Sequence, residues 1–490
     1  MRLAEATLRV GPGAEFYQVS MGGGPIGYAS STVDTTPGGI TVQDLLVLDI
    51  EALGKVQRTQ LSTDIRLTRD LHLVSVEGAL EAPGAPFHVS GTVSGDTVLT
   101  MSVDAGASQP SILKIPLRHT EVLRDLLPLQ LAYGHQLAPG RSFTVPVFDP
   151  MSMEQRDVTV RVLAESTLIV PDSAKWDTAG ARWVPARQDT LHAWKIAEDF
   201  GGTESWIDRQ GRIVSTVSPI GFRMERMAFE LAVENWRRAG GAAHGMAASA
   251  GGGTDIIDAT AITANAALKP EELGMLRVRI GNARLSGFDL AGGRQQLAGD
   301  TLTVRRETGI GTGALAAASL PLDRLPVSDP ALTAALASEP LIQSTDPRIQ
   351  AQARRIVGRE RRAGAVAELL THWVYANLKK EITISVPSAV QVLDARQGDC
   401  NEHTVLYVAL ARSLGLPART AAGLVYLRGH FYYHAWPEVW LGQWVAVDPT
   451  FDQFPADASH LRFVIGGLAR QVELLRLIGR VTVTVVGSAS

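Results

Sequence analysis

The sequence predicts an α+β multidomain chain: a large antiparallel β-rich N-terminal region followed by a C-terminal α+β domain. Three observations carry this. Up to about residue 223, stretches rich in Val, Leu, Thr and Ile are punctuated by Gly, Pro and Asp at turn-like intervals. At Asp346-Pro347 the texture becomes helical. With 490 residues, the chain also exceeds one ordinary domain.

In chain order, strands are expected at Ile40–Val47, Arg66–Val76, Phe87–Leu99 and Val158–Ile169. Thr203–Thr216 reads as a hairpin turned by Asp208-Arg209-Gln210-Gly211. Met224–Arg238 has helical spacing through Met227, Leu231 and Trp236, and the Gly/Ala-rich Ala239–Thr254 reads as a linker. The expected domains are 1–238, β-rich with a terminal helix, and 345–490, the C-terminal domain; the linker 239–254 and a small β-rich segment and connector, 255–344, lie between them. Met275–Ile280 is a strand of that segment, and Thr312–Ser338 is the connector.

Asp346 is a helix N-cap with Pro347 at the first helical position. Apolar spacing continues through Ile349, Ala353 and Ile356, then Val366, Leu369, Leu370, Trp373 and Val374. Cys400 precedes the apolar run Val405–Leu414, which Gly415 and Pro417 stop; the cysteine therefore opens a buried helix. Strands follow at Ala418–Tyr426, Phe431–Trp440 and Trp444–Val447, and a last one at Arg480–Val486.

Composition excludes several function classes. The chain is 45% hydrophobic and 20% charged, enough to bury a large core without metal or disulfide staples. Its 46 Lys+Arg against 50 Asp+Glu leave a net charge of −4, which gives no reason to expect nucleic acid or an anionic membrane. One cysteine permits no internal disulfide, no redox pair and no thiolate zinc cage. No apolar run reaches the ~18–20 residues of a membrane span. The opening residues lack a signal-peptide pattern, so the chain as given is expected in the cytoplasm, or in the periplasm or envelope if a leader has been removed.

The chemistry centres on Cys400. A helix start stabilises a thiolate and offers backbone N–H groups to an oxyanion. Such a cysteine needs a histidine and a group to orient it. Strand parity offers His434 and Asp448: with Leu441-Gly442-Gln443 as a three-residue loop, Trp440 faces Trp444 and Trp436 faces Asp448. His434 and Asp448 then share a sheet face as diagonal neighbours about 7–8 Å apart at the backbone. His403 and His430 are rivals for the base. Glu402 and Arg419 read as capping or pairing residues, and Trp436, Trp440 and Trp444 as packing, with Trp436 a candidate cleft wall.

Taken together, Gly398-Asp399-Cys400-Asn401-Glu402-His403, Leu410–Arg419, Tyr433-His434-Ala435-Trp436-Pro437-Glu438-Val439 and Trp444–Thr450 resemble the bacterial transglutaminase-like superfamily, over roughly Asp346–Arg462. The resemblance implies a papain/transglutaminase-like α+β catalytic domain with Cys400 as nucleophile, His434 as base and Asp448 as orienter. It also offers Trp373 as an oxyanion-assisting aromatic, and implies no cofactor and no metal. Pro437 departs from the pattern and implies an edge or bulged strand position. The superfamily includes transferases, peptidases, amidases and silent scaffolds, so two readings stand. One is acyl transfer from an amide or peptide, presented to a cleft, to an amine or water. The other is a binding module without catalysis. Oligomeric state is not legible.

Other motifs fail. Gly22–Gly27 fits the dinucleotide glycine pattern only by letter, with proline where a helix should open. His430 and His434 lack a third metal ligand. There is no phosphate loop and no serine elbow.

Overall fold

The protein is described here by a computed structural model, which covers all residues except 1–9, 53–54, 96, 119–121, 135, 151–152, 200, 239–259, 311–312, 384, 472 and 475–476. The expected linker Ala239–Thr254 lies outside the described residues. The chain forms two compact units, one of Met1–Asp104 with Ser111–Ile256 and one of Ala105–Pro110 with Ile257–Ser490.

Among the described residues, the first unit is built on a 15-stranded sheet. From Gly13–Met21 the chain meanders outward through Gly24–Thr36, Gly39–Ala52, Lys55–Leu67, Leu73–Glu81, Phe87–Ser94 and Val98–Asp104 to Ser111–Pro116. On its other side Gly13–Met21 pairs with Phe222–Met227, and the order runs back through Ile213–Val217 and Glu204–Asp208 toward Val122–Leu123. Two ion pairs pin this seam between distant residues: the partly buried Arg212 Nη1 lies 2.6 Å from Glu15 Oε1, and the buried Arg226 Nη1 lies 3.0 Å from Asp208 Oδ2. The hairpin turn sits where expected, with Gly211 donating to the Asp208 carbonyl at 3.0 Å.

Three expected elements of this unit are corrected. Arg66–Val76 spans two strands, Lys55–Leu67 and Leu73–Glu81. Its turn carries no glycine; Leu71 takes the positive φ of 63° instead. Phe87–Leu99 likewise spans Phe87–Ser94 and Val98–Asp104. Met224–Arg238 begins as strand, because Met224 pairs with Val19, and only Glu230–Arg238 is helical. Ladder partners override the helical spacing of isolated apolar residues.

In the second unit, helix Pro347–Val357 starts on the Asp346 side chain, which accepts from Arg348 N–H at 2.8 Å. With helix Ala363–Asn377 it packs around helix Cys400–Ser413. Ile349, Val366, Leu370, Leu406 and Leu410, all fully buried, share one core with Val439 and Val445. Truncating one such leucine costs roughly 2–5 kcal/mol. Leu369, expected in the apolar stripe, is instead exposed at 39%.

The strands of this unit bring distant segments together. His430–Trp440 pairs with Ala418–Leu427 on one side; on the other, Ile262–Thr263 and Trp444–Ala446 take only its two ends. Met275–Gly281 pairs with the C-terminal strand Thr482–Ala489. Segment 255–344, expected as a separate small region, thus shares sheets with the C-terminal residues. Its connector forms short helical turns at Gly313–Ser319, Leu322–Arg324 and Pro330–Ala334. Among the described residues no helix is long and apolar enough to cross a membrane.

Candidate active site

Cys400 is the first residue of its helix, and a capping box holds it there. The Asp399 side chain accepts from Asn401 N–H at 2.9 Å, while Glu402 Oε2 accepts from Asp399 N–H at 2.9 Å. Thr383 and Ser385 hydroxyls donate to Glu402 Oε1 at 2.6 and 2.9 Å. Gly398 must be glycine: at φ 154° its Cβ would lie 2.2 Å from that of Glu402. Glu402 is therefore a capping residue. Arg419 is a pairing one, its Nη2 lying 2.6 Å from Glu438 Oε2.

Strand His430–Trp440 brings the next groups. Trp440 pairs with Trp444 and Glu438 with Ala446, across a loop whose Gly442 takes φ 96°. The paired strand ends at Ala446, two residues before Asp448, yet His434 Nε2 lies 2.7 Å from Asp448 Oδ2. Phe451 stacks on the His434 ring at 5.0 Å between centroids. Asp448 Oδ1 accepts from the Thr450 and Phe451 amides at 2.7 and 3.2 Å, so every side of the carboxylate is engaged.

Pro437 fits its place. Its carbonyl accepts from Val447 N–H at 3.0 Å, on the side where Trp444–Ala446 stops pairing. The N–H that proline lacks would point to the same side, so no bond to strand Ala418–Leu427 is lost. Ala435 faces this open stretch too, and its amide hydrogen-bonds the Cys400 sulfur. Cys400 therefore rests against the backbone of the residue that follows His434.

Electrostatics at the sulfur oppose a resting thiolate. Burial pushes the Cys400 thiol up, the Asp399 carboxyl adds to this, and the Ala435 amide works the other way. By surface area the cysteine as a whole is half-buried. Asp399 is itself raised, by burial first and then by Glu402. For Asp448, burial opposes the charge, but His434 and His460 overcome it and hold the carboxyl far below the usual range.

His460 is absent from the sequence reading and belongs to this site. Fully buried, it places Nε2 2.9 Å from Asp448 Oδ2 and Nδ1 3.4 Å from Asp457 Oδ1. It lies in a loop without periodicity; its only local signal is Asp457, three residues earlier. His434, Asp448 and His460 also have the residue types of a metal site, with ligand atoms within 4.8 Å. Their N···O spacings of 2.7 and 2.9 Å are hydrogen-bond lengths. Two ligands on one tetrahedral zinc at ~2.0–2.1 Å would stand roughly 3.3 Å apart.

The remaining candidates lie elsewhere or act otherwise. His403 is fully buried, with Nδ1 2.6 Å from the Asp399 carbonyl and Nε2 unpartnered; burial lowers its pKa. His430 pairs with Leu427 and Thr263 at the far end of its strand. Trp436 is wholly buried, stacked on His434 and edge-on to His460, so it is packing behind the histidines and not a cleft wall. Trp373 packs on the helical core beneath the Arg396 guanidinium, 4.7 Å from its ring.

Residues 350–449 match the family model described as Transglutaminase-like superfamily. No curated protein matches the chain in sequence. Among solved structures, a candidate cysteine protease from Cytophaga hutchinsonii is similar at 15% identity and TM-score 0.29, covering 43% of this chain and 83% of its own. A β-barrel-like protein of a domain of unknown function from Brucella abortus is similar at 13% identity and TM-score 0.31, covering 44% and 95%. Over residues 350–449, then, the chain is similar to the Transglutaminase-like superfamily.

Proposed function

We propose that this protein is a cysteine enzyme that cleaves amide or peptide bonds through Cys400, His434 and Asp448, in a papain-like arrangement. The observation that carries the reading is the 2.7 Å His434–Asp448 hydrogen bond, beside a helix-start cysteine whose sulfur meets the adjoining Ala435 amide. His434 uses Nε2 on Asp448, which leaves Nδ1 for the thiol proton. The sulfur attacks the substrate carbonyl carbon as Nδ1 takes that proton. The Cys400 backbone N–H, first in its helix and without an intrahelical partner, is the donor offered to the resulting oxyanion. Collapse expels the amine, which takes the proton from His434 and leaves a thioester. Water or a second amine then attacks, again deprotonated by His434, and regenerates the thiol.

The test is a panel of glutamine-containing peptides, with and without a primary amine, followed for ammonia release, cleavage and amine incorporation. Turnover by the full chain that is lost in Cys400→Ala and His434→Ala is the expected result. The competing reading, a silent binding module, draws support from the burial that pushes the Cys400 thiol up. A folded chain that neither turns over any peptide nor reacts with iodoacetamide at Cys400 would favour it.

A further inference from the structure

Asp448 is shared by two imidazoles. Its Oδ2 accepts from His434 Nε2 at 2.7 Å and meets His460 Nε2 at 2.9 Å. The other nitrogen of His460 faces a second carboxylate, with Asp457 Oδ1 at 3.4 Å. Both carboxylates are already acceptors elsewhere. Asp448 Oδ1 takes the Thr450 and Phe451 amides. Asp457 takes the Ser459 amide on Oδ1 at 2.7 Å and Gln453 Nε2 on Oδ2 at 2.7 Å. A neutral imidazole has one N–H, so it would turn a lone pair toward one of these oxygens; an imidazolium donates to both.

We propose that His460 is a positioning residue, held as an imidazolium between Asp448 and Asp457, that sets the pH range over which His434 serves as base. This rests on the cysteine-enzyme reading above. The titratable groups around His460 are Asp448, Asp457 and His434; behind the Asp457 backbone, Arg294 donates to the carbonyls of Ala456 and Asp457 and pairs with Glu307. Burial opposes a charge on His460, but Asp457 and Asp448 overcome it and raise the group to about 9.

The consequence falls on His434. Asp448 alone would favour a protonated His434. The His460 ring, 5.8 Å from that of His434 between centroids, brings a positive charge that opposes this. A neutral His434 is the form that accepts the thiol proton, so the charge on His460 bears on the pH range of the reaction. Pinning Oδ2 between two donors also fixes the direction of its bond to His434.

The experiment measures iodoacetamide alkylation of Cys400 against pH in the full chain, for the wild type and His460→Gln. Glutamine removes the charge but keeps an N–H for Asp448. Losing a nearby positive charge raises the pKa of both thiol and imidazole, so the inflections should move up by about half a unit or more. A purely structural role would lower the melting temperature and leave the inflections in place; unmoved inflections in a folded variant overturn the proposal. If His460→Gln does not fold, 15N-histidine NMR of the wild type decides. An imidazole retaining two protected N–H protons at pH 7.5 supports the charge, and one or none overturns it. Wild-type Cys400 that never reacts would sink the enzyme reading, and the NMR result would still decide the charge on His460.

Discussion

Gly423 stands directly opposite His434 in the strand ladder, and a Cβ at that glycine would lie 2.0 Å from the Leu461 carbonyl oxygen. The register shifts here between Ala422 and Gly423, where strand Leu461–Ile465 pairs antiparallel with the His434 strand's partner in the same sheet. The same pairing brings in His460, the residue just before that strand. Backbone cannot retreat as a flexible side chain can. Gly423→Ala should therefore destabilise the chain by about 1–3 kcal/mol, seen as a lower thermal midpoint. A midpoint equal to wild type would mean that the strand yields freely and does not fix the histidines.

Asp448→Asn tests the orienting carboxylate. The amide fills nearly the same volume, but it carries no charge and turns an N–H2 or an oxygen toward two ring nitrogens that now meet a carboxylate. Turnover on a responsive peptide should fall by about 10²–10⁴-fold with the fold retained. Activity within a factor of two of wild type would remove Asp448 from the mechanism.

His430 and His434 share strand parity, but only His434 meets Asp448. His430→Ala should leave Cys400 alkylation unchanged at every pH. His434→Ala should suppress it near neutrality, because burial holds the thiol protonated and no base remains to take its proton. Equal effects from the two substitutions would mean that the strand presents its other histidine.

Asp399 both caps the helix and adds to the upward push on Cys400. The two roles separate by substitution. Asparagine caps nearly as well, so Asp399→Asn should keep stability while lowering the pH midpoint of alkylation. Asp399→Ala should lower the same midpoint and lose about 1 kcal/mol of stability with the cap. An unmoved midpoint in the asparagine variant would show that the raised Asp399 carboxyl stays protonated across the range tested.

What the sequence discloses follows the range of the forces involved. Cys400 is legible as a helix start because the apolar run Val405–Leu414 and its stop at Gly415 and Pro417 are local signals. The loop Leu441-Gly442-Gln443 fixes parity between neighbouring strands, which is enough to bring His434 toward Asp448. The turn between Lys55–Leu67 and Leu73–Glu81 is hidden because Leu71, not glycine, takes the positive φ. Gly95, at φ 57°, sits at the turn that splits Phe87–Leu99, a local signal that the expectation of a single strand overlooked. Pairing of Met275–Gly281 with Thr482–Ala489 spans some two hundred residues and leaves no local pattern. His460 is the costliest omission. Its loop is held by Gln453 and Asp457 side chains, which follow neither helical nor strand periodicity.

That loop should also leave its mark on stability against pH. His460 is raised to about 9 in the folded chain, against ~6.5 when unfolded. Its contribution is therefore fully present below pH ~6.5 and is lost as pH rises through about 9. Asp448 and Asp457 are both lowered, with burial opposing and the neighbouring histidines prevailing. Their contribution is present above pH ~4 and is lost only as pH falls toward their depressed values. Both sets act together between about pH 4 and 6.5, and only the histidine's fades on the alkaline side. Other groups titrate there as well, so the quantity to measure is the difference between wild type and His460→Gln. In urea unfolding from pH 6 to 9, wild type should be the more stable at pH 6, and the gap should narrow toward pH 9. A gap that stays constant would mean that His460 is folded in as a neutral ring.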